Sequence, residues 1–431
     1  MLIKIILSLS FLLITFCQSE IDEKTSIKDS IINSSHLDGL YEEINVSGIT
    51  LGIIHIYSEY PDYTWIGDDD EGIACVDDAA RALIFYLNHN QDNNDIESLN
   101  KAKYLIEFLI FMQSENGLFY NFIFDDYSVN KTHKNSVNQP NWWSWRAMWA
   151  LSESIAVFKS IDINLTKRIT GSLSSVIIAF KDQQSVSKKT IYVKGIELPT
   201  WLPQKYSSDQ AALIILGLTN FYNNTTDSSV LPYLNDLCDG ILIMQKGDSL
   251  NLPFNAFLSW QNLWHAYGNS QSYALLKASS VLKREDFLLA AISEINYFYK
   301  FLMNENYLSS FYIDKKNDEY IPIETKQYSQ IAYNFRVMVY ACMEAYNITK
   351  DSSYASMAGE IASWFLGNNI AESQMYFPSS GICYDGINSQ NTINKNSGAE
   401  STIEALLTLL AIEKNSVSKK VLNKYLVQDT N

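Results

Sequence analysis

Apolar positions gather into long stretches that recur roughly every 60–70 residues, in pairs of unlike character. One member of each pair is apolar on nearly every side: residues 77–88, 143–159, 208–222, 269–281, 329–346 and 397–412. The run Leu406-Leu407-Thr408-Leu409-Leu410-Ala411-Ile412 shows the type. A helix without a polar face is one walled in by other protein. Its partner follows within a few residues and keeps a polar stripe: 96–113, 164–181, 230–244, 285–303, 353–365 and 417–427. Lys101, Lys103 and Glu107, set among Tyr104, Leu105, Phe108 and Leu109, outline one such stripe. Six buried helices alternating with six half-exposed ones predict an all-α fold, an (α/α)6 toroid of six helical hairpins. Inner-to-outer turns are short, whereas outer-to-inner connections run to about 20–30 residues, long for a compact domain. Long loops, with short strands among them, therefore collect at the rim where inner helices begin, and such loops tend to carry function.

Two residue types support that rim. Pro61, Pro140, Pro199, Pro203, Pro253, Pro322 and Pro378 all fall in connections preceding inner helices, while Pro232 opens an outer helix, where proline is tolerated. Trp65, Trp142, Trp143, Trp145, Trp201, Trp260 and Trp264 precede or open inner helices; only Trp149 and Trp364 lie inside helices. Indole faces at a rim suit the C–H faces of sugar rings. The competing reading is that they pack the loops together.

The ends change the picture in one respect. A charged start at Met1–Lys4 and an apolar run to Phe16 form a leader too short to span a bilayer, which takes about 20 helical residues. Cys17 follows it directly and resembles the acylation site of a bacterial lipoprotein. The expected organisation is a leader at 1–17, a polar tether at 18–40 and the toroid at 41–431. The protein is thereby expected to be exported, periplasmic or on the cell surface, touching a membrane only through a lipid on Cys17. A formal charge of −16 argues against nucleic acid as a partner. Cys75, Cys238, Cys342 and Cys383 read as isolated small hydrophobes, and the five histidines show no metal-ligand spacing, so no metal or cofactor is expected.

Charged residues mark the inner-helix mouths: Asp77 and Asp78 at the first, Arg146 at the second, Asp209 at the third, Arg336 at the fifth and Glu400 at the sixth. Carboxylates there are also good helix caps, and Ser397-Gly398-Ala399-Glu400 fits a capping box. Ring closure sharpens the functional alternative. A sixth helix packed on the first brings Glu400 beside Asp77 and Asp78, with Asp209 expected across the opening. Glycoside hydrolysis needs such carboxyl groups, one protonated and one not, and crowding raises one pKa. Trp142, Trp143, Trp145, Trp201 and Trp264 would line the walls. Arg81, Arg146 and Arg336 need anionic partners in a buried wall. Two readings stand: structural pairs such as Arg81 with Glu404 or Glu400, and recognition of an anionic sugar by Arg146 or Arg336. Glu197 is a spare acid, and Asp68 to Glu71 is either a solvated loop or a Ca²⁺ loop.

The stretches Gly72-Ile-Ala-Cys-Val-Asp-Asp-Ala-Ala-Arg-Ala-Leu83 and Ser397-Gly-Ala-Glu-Ser-Thr-Ile403 resemble those of an (α/α)6 module that accompanies some bacterial glycosyltransferases. The whole is similar to the six-hairpin glycosidase superfamily. Ala79 stands where that module usually has Asn. The resemblance implies carbohydrate work, on an oligosaccharide or polysaccharide, rather than a named reaction; the carboxyl groups at the rim point first to glycoside hydrolysis. The alternatives are a glycan-binding lipoprotein without chemistry and a polysaccharide lyase using His265, Tyr267 and Asn262.

Overall fold

Hydrophobic periodicity dictates twelve helices, and they are present as two concentric rings. The computed structural model of the protein describes residues 30–184 and 187–426. The inner ring comprises Val76–Asn93, Trp142–Phe158, Ser208–Thr225, Gln271–Leu282, Ala332–Thr349 and Ala399–Glu413. The outer ring comprises Ile96–Met112, Ile163–Gln183, Leu231–Met244, Glu285–Glu294, Ser352–Ala362 and Ser416–Leu422. Each inner helix packs on the next, and the sixth closes against the first. Closure leaves the inner helices with no solvent side: Ala79 through Leu87 and Ser401 through Leu410 are buried without interruption. The all-α toroid expected from the sequence is the fold observed.

The edges differ from expectation in instructive ways. The fourth outer helix passes through a π-helical turn at Ile295–Tyr299 before ending at Asn304, and the fifth and sixth finish in 3-10 turns. Asp95, Asp162, Asp351 and Asn415 cap outer helices, accepting from the backbone N–H of Glu97, Leu165, Ser353 and Val417. Four inner helices stop at left-handed residues, Asn94, Thr226, Lys283 and Lys350, which turn the chain sharply into the outer partner.

The chain divides into residues 1–31 and a unit spanning Ile32–Asn431. The leader and Cys17 lie outside the described residues. The expected tether does not extend to residue 40, because Ser35–Leu40 is a short helix whose Leu37 and Leu40 are buried. Its Asp38 accepts from Tyr86 Oη at 2.8 Å and Lys101 Nζ at 2.7 Å, fixing it to the first hairpin of helices. A β-hairpin, Tyr41–Val46 with Ile49–Ile54, then covers the first outer helix. The remaining strands are short pairs in the connections, apart from a three-stranded sheet of Leu263–His265, Ser310–Lys316 and Glu319–Lys326. No helix among the described residues is long and apolar enough to cross a membrane.

Candidate active site

Helical spacing aims one set of polar side chains down the axis of the inner ring. Asp77, Asp78 and Arg81 share the first turns of the first inner helix. Glu400 and Glu404 are one turn apart on the sixth, and Tyr333 and Arg336 on the fifth. Ring closure interlocks them. Arg81 donates through Nη1 to Asp78 at 2.7 Å and lies 2.9 Å from Glu400 through Nη2 and 3.2 Å from Glu404 through Nε. Arg336 Nε meets the other oxygen of Glu404 at 2.5 Å. Arg146, from the second helix, pairs with Asp77 at 2.5 Å and donates to Tyr333 Oη at 3.0 Å. The Tyr333 ring lies between all three guanidiniums, at 4.8 Å from Arg81, 5.3 Å from Arg146 and 5.0 Å from Arg336.

Above this floor opens a cavity of about 690 Å³. Asp77, Asp78, Arg81, Arg146, Tyr333 and Glu400 line it, with Trp142 and Trp143 on one side. Access differs among the carboxyl groups: the Glu400 side chain is 43% exposed, that of Asp77 20% and that of Asp78 only 5%. Burial pushes the Asp78 carboxyl up to about 6; Arg81 opposes this, while Glu400 and Asp77 add to it. Cys75 Sγ also donates to Asp78, and burial raises that thiol well above its usual range.

The capping alternative accounts for little of this. Cys75, not an aspartate, caps the first inner helix by accepting the Asp78 N–H on sulfur. The capping box expected at Ser397 does not form: Gly398 is the N-cap, Ser397 Oγ accepts from the Cys383 N–H, and Glu400 turns to Arg81.

Several expected wall residues lie elsewhere. Asp209 is buried, accepts the N–H of Gln210 at 2.6 Å, and pairs with His265 Nε2 at 3.0 Å; it does not line the cavity. Its helix mouth is occupied by the Leu263–His265 strand, which brings a matching imidazole. Arg336 lies beneath the floor, consumed by Glu404. Trp145 is buried with its indole N–H on Gln210, and Trp201 donates to the Asp236 carbonyl; both face a separate crevice on the ring's flank. Trp264 is core, between Phe298 and Phe311. His265 stacks on Tyr267 at 3.9 Å, and of the residues considered for a lyase only Tyr267 reaches the cavity. Glu197 does not line it. Asp68 folds its own loop by accepting from the N–H groups of Asp70 and Glu71 at 2.8 Å, and among the described residues no group of three or more His, Cys, Asp and Glu is placed to hold a metal ion.

Asp385 is a site residue that the sequence did not disclose. It lines the cavity from the last rim connection and accepts from the Gly398 N–H at 2.9 Å and Ser401 Oγ at 2.6 Å; burial raises its carboxyl. Its one signal is an Asp-Gly pair shortly before the sixth inner helix. Tyr333 and the amides Asn121, Asn135, Asn141, Asn388 and Asn394 also line the cavity, and no spacing pattern distinguishes them from other polar rim residues.

No protein-family model matches the sequence, and no curated protein aligns with it significantly. Solved structures do match. A sugar epimerase from a ruminal bacterium superposes with a TM-score of 0.63 at 15% identity, over 90% of this chain and 97% of that one. A D-mannose isomerase gives 0.61 at 12% identity, over 92% and 99%. A family 76 glycoside hydrolase from a bovine Bacteroides thetaiotaomicron strain gives 0.57 at 13% identity, over 90% and 79%. The chain shares with these proteins the fold of an (α/α)6 toroid of six helical hairpins.

Proposed function

We propose that the protein is a carbohydrate-active enzyme that hydrolyses glycosidic bonds in oligosaccharides, with Asp78 as general acid and Glu400 as general base. The observation that carries this reading is the Arg81 fork, which holds two carboxyl groups of unlike character in one cavity. Asp78 is buried and prone to hold its proton; Glu400 is open to the cavity and paired with a cation. In the reaction, Asp78 gives its proton to the glycosidic oxygen as the C–O bond breaks. Glu400 takes a proton from the water whose oxygen joins the anomeric carbon, and the two carboxyl groups exchange protonation states. Trp142 offers an apolar face to the ring, with the buried Trp143 behind the wall. The fold's known members, sugar epimerases among them, support a sugar substrate without choosing the reaction.

The test is a glycan panel read by mass spectrometry and reducing-end assay. Asp78→Asn and Glu400→Gln are each expected to lower turnover by about 10²–10⁴-fold, the usual share of general acid–base catalysis. Full activity in both variants refutes the assignment. Isomerised sugar without new reducing ends would make the protein an epimerase, an unsaturated product a lyase, and binding without products a glycan-binding protein.

A further inference from the structure

The floor of the cavity has no cation to spare. Four carboxyl groups line it, Asp77, Asp78, Asp385 and Glu400, against two guanidiniums, Arg81 and Arg146, and no lysine or histidine is among the lining residues. Each guanidinium is already engaged within the protein. Arg81 meets three carboxyl groups through three different nitrogens, and Arg146 meets Asp77 and the Tyr333 hydroxyl. Arg336 is walled off beneath Tyr333 by Glu404. The other source of positive potential at such a rim is the set of helix N-termini, which favour anions. Those ends are answered from inside too: Asn141 Oδ1 takes the Trp142 N–H, Asp209 the Gln210 N–H, and Asp385 the Gly398 N–H.

A sugar carboxylate entering here would meet four carboxyl groups and, in Arg146, a guanidinium already paired with Asp77, while Arg336 lies beneath the floor on Glu404. An ammonium would find the partly exposed oxygens of Glu400 and Asp77. Resting on the carbohydrate reading above, we infer that the cavity selects sugar units by charge: amine-bearing units first, neutral ones next, and uronates excluded. The lining amides Asn121 and Asn141, whose oxygens accept the Asp77 and Trp142 N–H groups, bring neutral amide N–H donors for hydroxyl groups and leave the charge preference intact.

Direct binding tests this without turnover, with Trp142 and Trp143 in the wall as fluorescent reporters. The probes are matched amino, neutral and uronic forms of glucose, mannose and galactose. In every configuration that binds, the amino form is expected to bind on the order of tenfold or more tighter than the uronate. The gap should shrink as salt rises from about 0.01 M to 1 M, where the Debye length falls from ~30 to ~3 Å. Glu400→Gln should narrow it as well. A uronate that binds as well as its neutral or amino counterpart overturns the charge selection while leaving a sugar site in place. Failure of every probe and of longer neutral glycans to bind overturns the carbohydrate reading itself.

Discussion

Replacing Glu404 by Gln tests the organisation of the site without needing a substrate. Glu404 is wholly buried, and its two oxygens bridge Arg81 at 3.2 Å and Arg336 at 2.5 Å. An amide of the same shape removes the shared charge and leaves Arg336, itself 1% exposed, with a neutral acceptor in place of its carboxylate among aromatic rings. Breaking a buried pair by neutralising one member costs about 3–5 kcal/mol, mostly the penalty of the uncompensated charge. Unfolding entropy of about 2.1 cal/mol/K per residue over the Ile32–Asn431 unit makes 1 kcal/mol worth only about 1.2 °C. The expected loss is thus about 4–6 °C in Tm, with a clear drop in urea midpoint. Calorimetry and urea titration at low and high salt provide the assay. A loss independent of salt is expected, since buried charges are little screened. The Lys277–Glu344 pair, 3.8 Å apart and partly exposed, serves as control, with Glu344→Gln costing about 1 kcal/mol or less. A Glu404→Gln loss under about 1 kcal/mol, or one that high salt removes, would refute the idea that this carboxylate organises the floor.

Activity should fall about tenfold per pH unit above about 6, because Asp78 must be protonated to act and its pKa lies there; a rate still rising through pH 7–8 would exclude it as the acid. Glu294, buried with Phe257 N–H and Ser272 Oγ as donors, has its carboxyl raised by burial to about 7 from 4.5. The folded state therefore binds the extra proton between those values. Its stabilisation is complete below pH 4.5 and is lost as pH rises to about 7, a change of roughly 3 kcal/mol. In Glu294→Gln that slope should flatten in urea titrations at a series of pH values. Asp209→Asn should lower stability by about 1–3 kcal/mol, through the lost His265 pair, while leaving KM unchanged; a selective fall in kcat would return it to the site. Gly72→Ala should destabilise by at least about 2 kcal/mol, since φ is +120° and a Cβ would lie 2.2 Å from the Ile123 carbonyl oxygen; calorimetry reads it directly.

Side-chain pattern made the rings legible because burial of a helix on every side is written into consecutive residues such as Ala79 to Leu87. The proximity of Glu400 to Asp77 and Asp78 followed from counting six hairpins and closing them. Rim residues were less legible, since an indole in a connection can face either way. Trp142 and Trp143 turn to the cavity, whereas Trp264 turns into Phe298 and Phe311. Asp209 likewise stands at a helix mouth like the others, and only the His265 strand, arriving from a different hairpin, takes it out of play. Asp385 is not legible in the sequence because its loop carries no periodicity to reveal where it points.

Local sequence alone therefore determined the twelve helices of the two rings, their pairing and the end of the toroid at which polar groups collect, since each follows from which face of a helix can meet water. Tertiary structure decided which of those groups share a cavity and which guanidinium belongs to which carboxyl. Such pairings form between residues such as Arg81 and Glu400, more than three hundred positions apart. Their geometry exists only once the ring has shut and desolvation has forced each charge to find a partner.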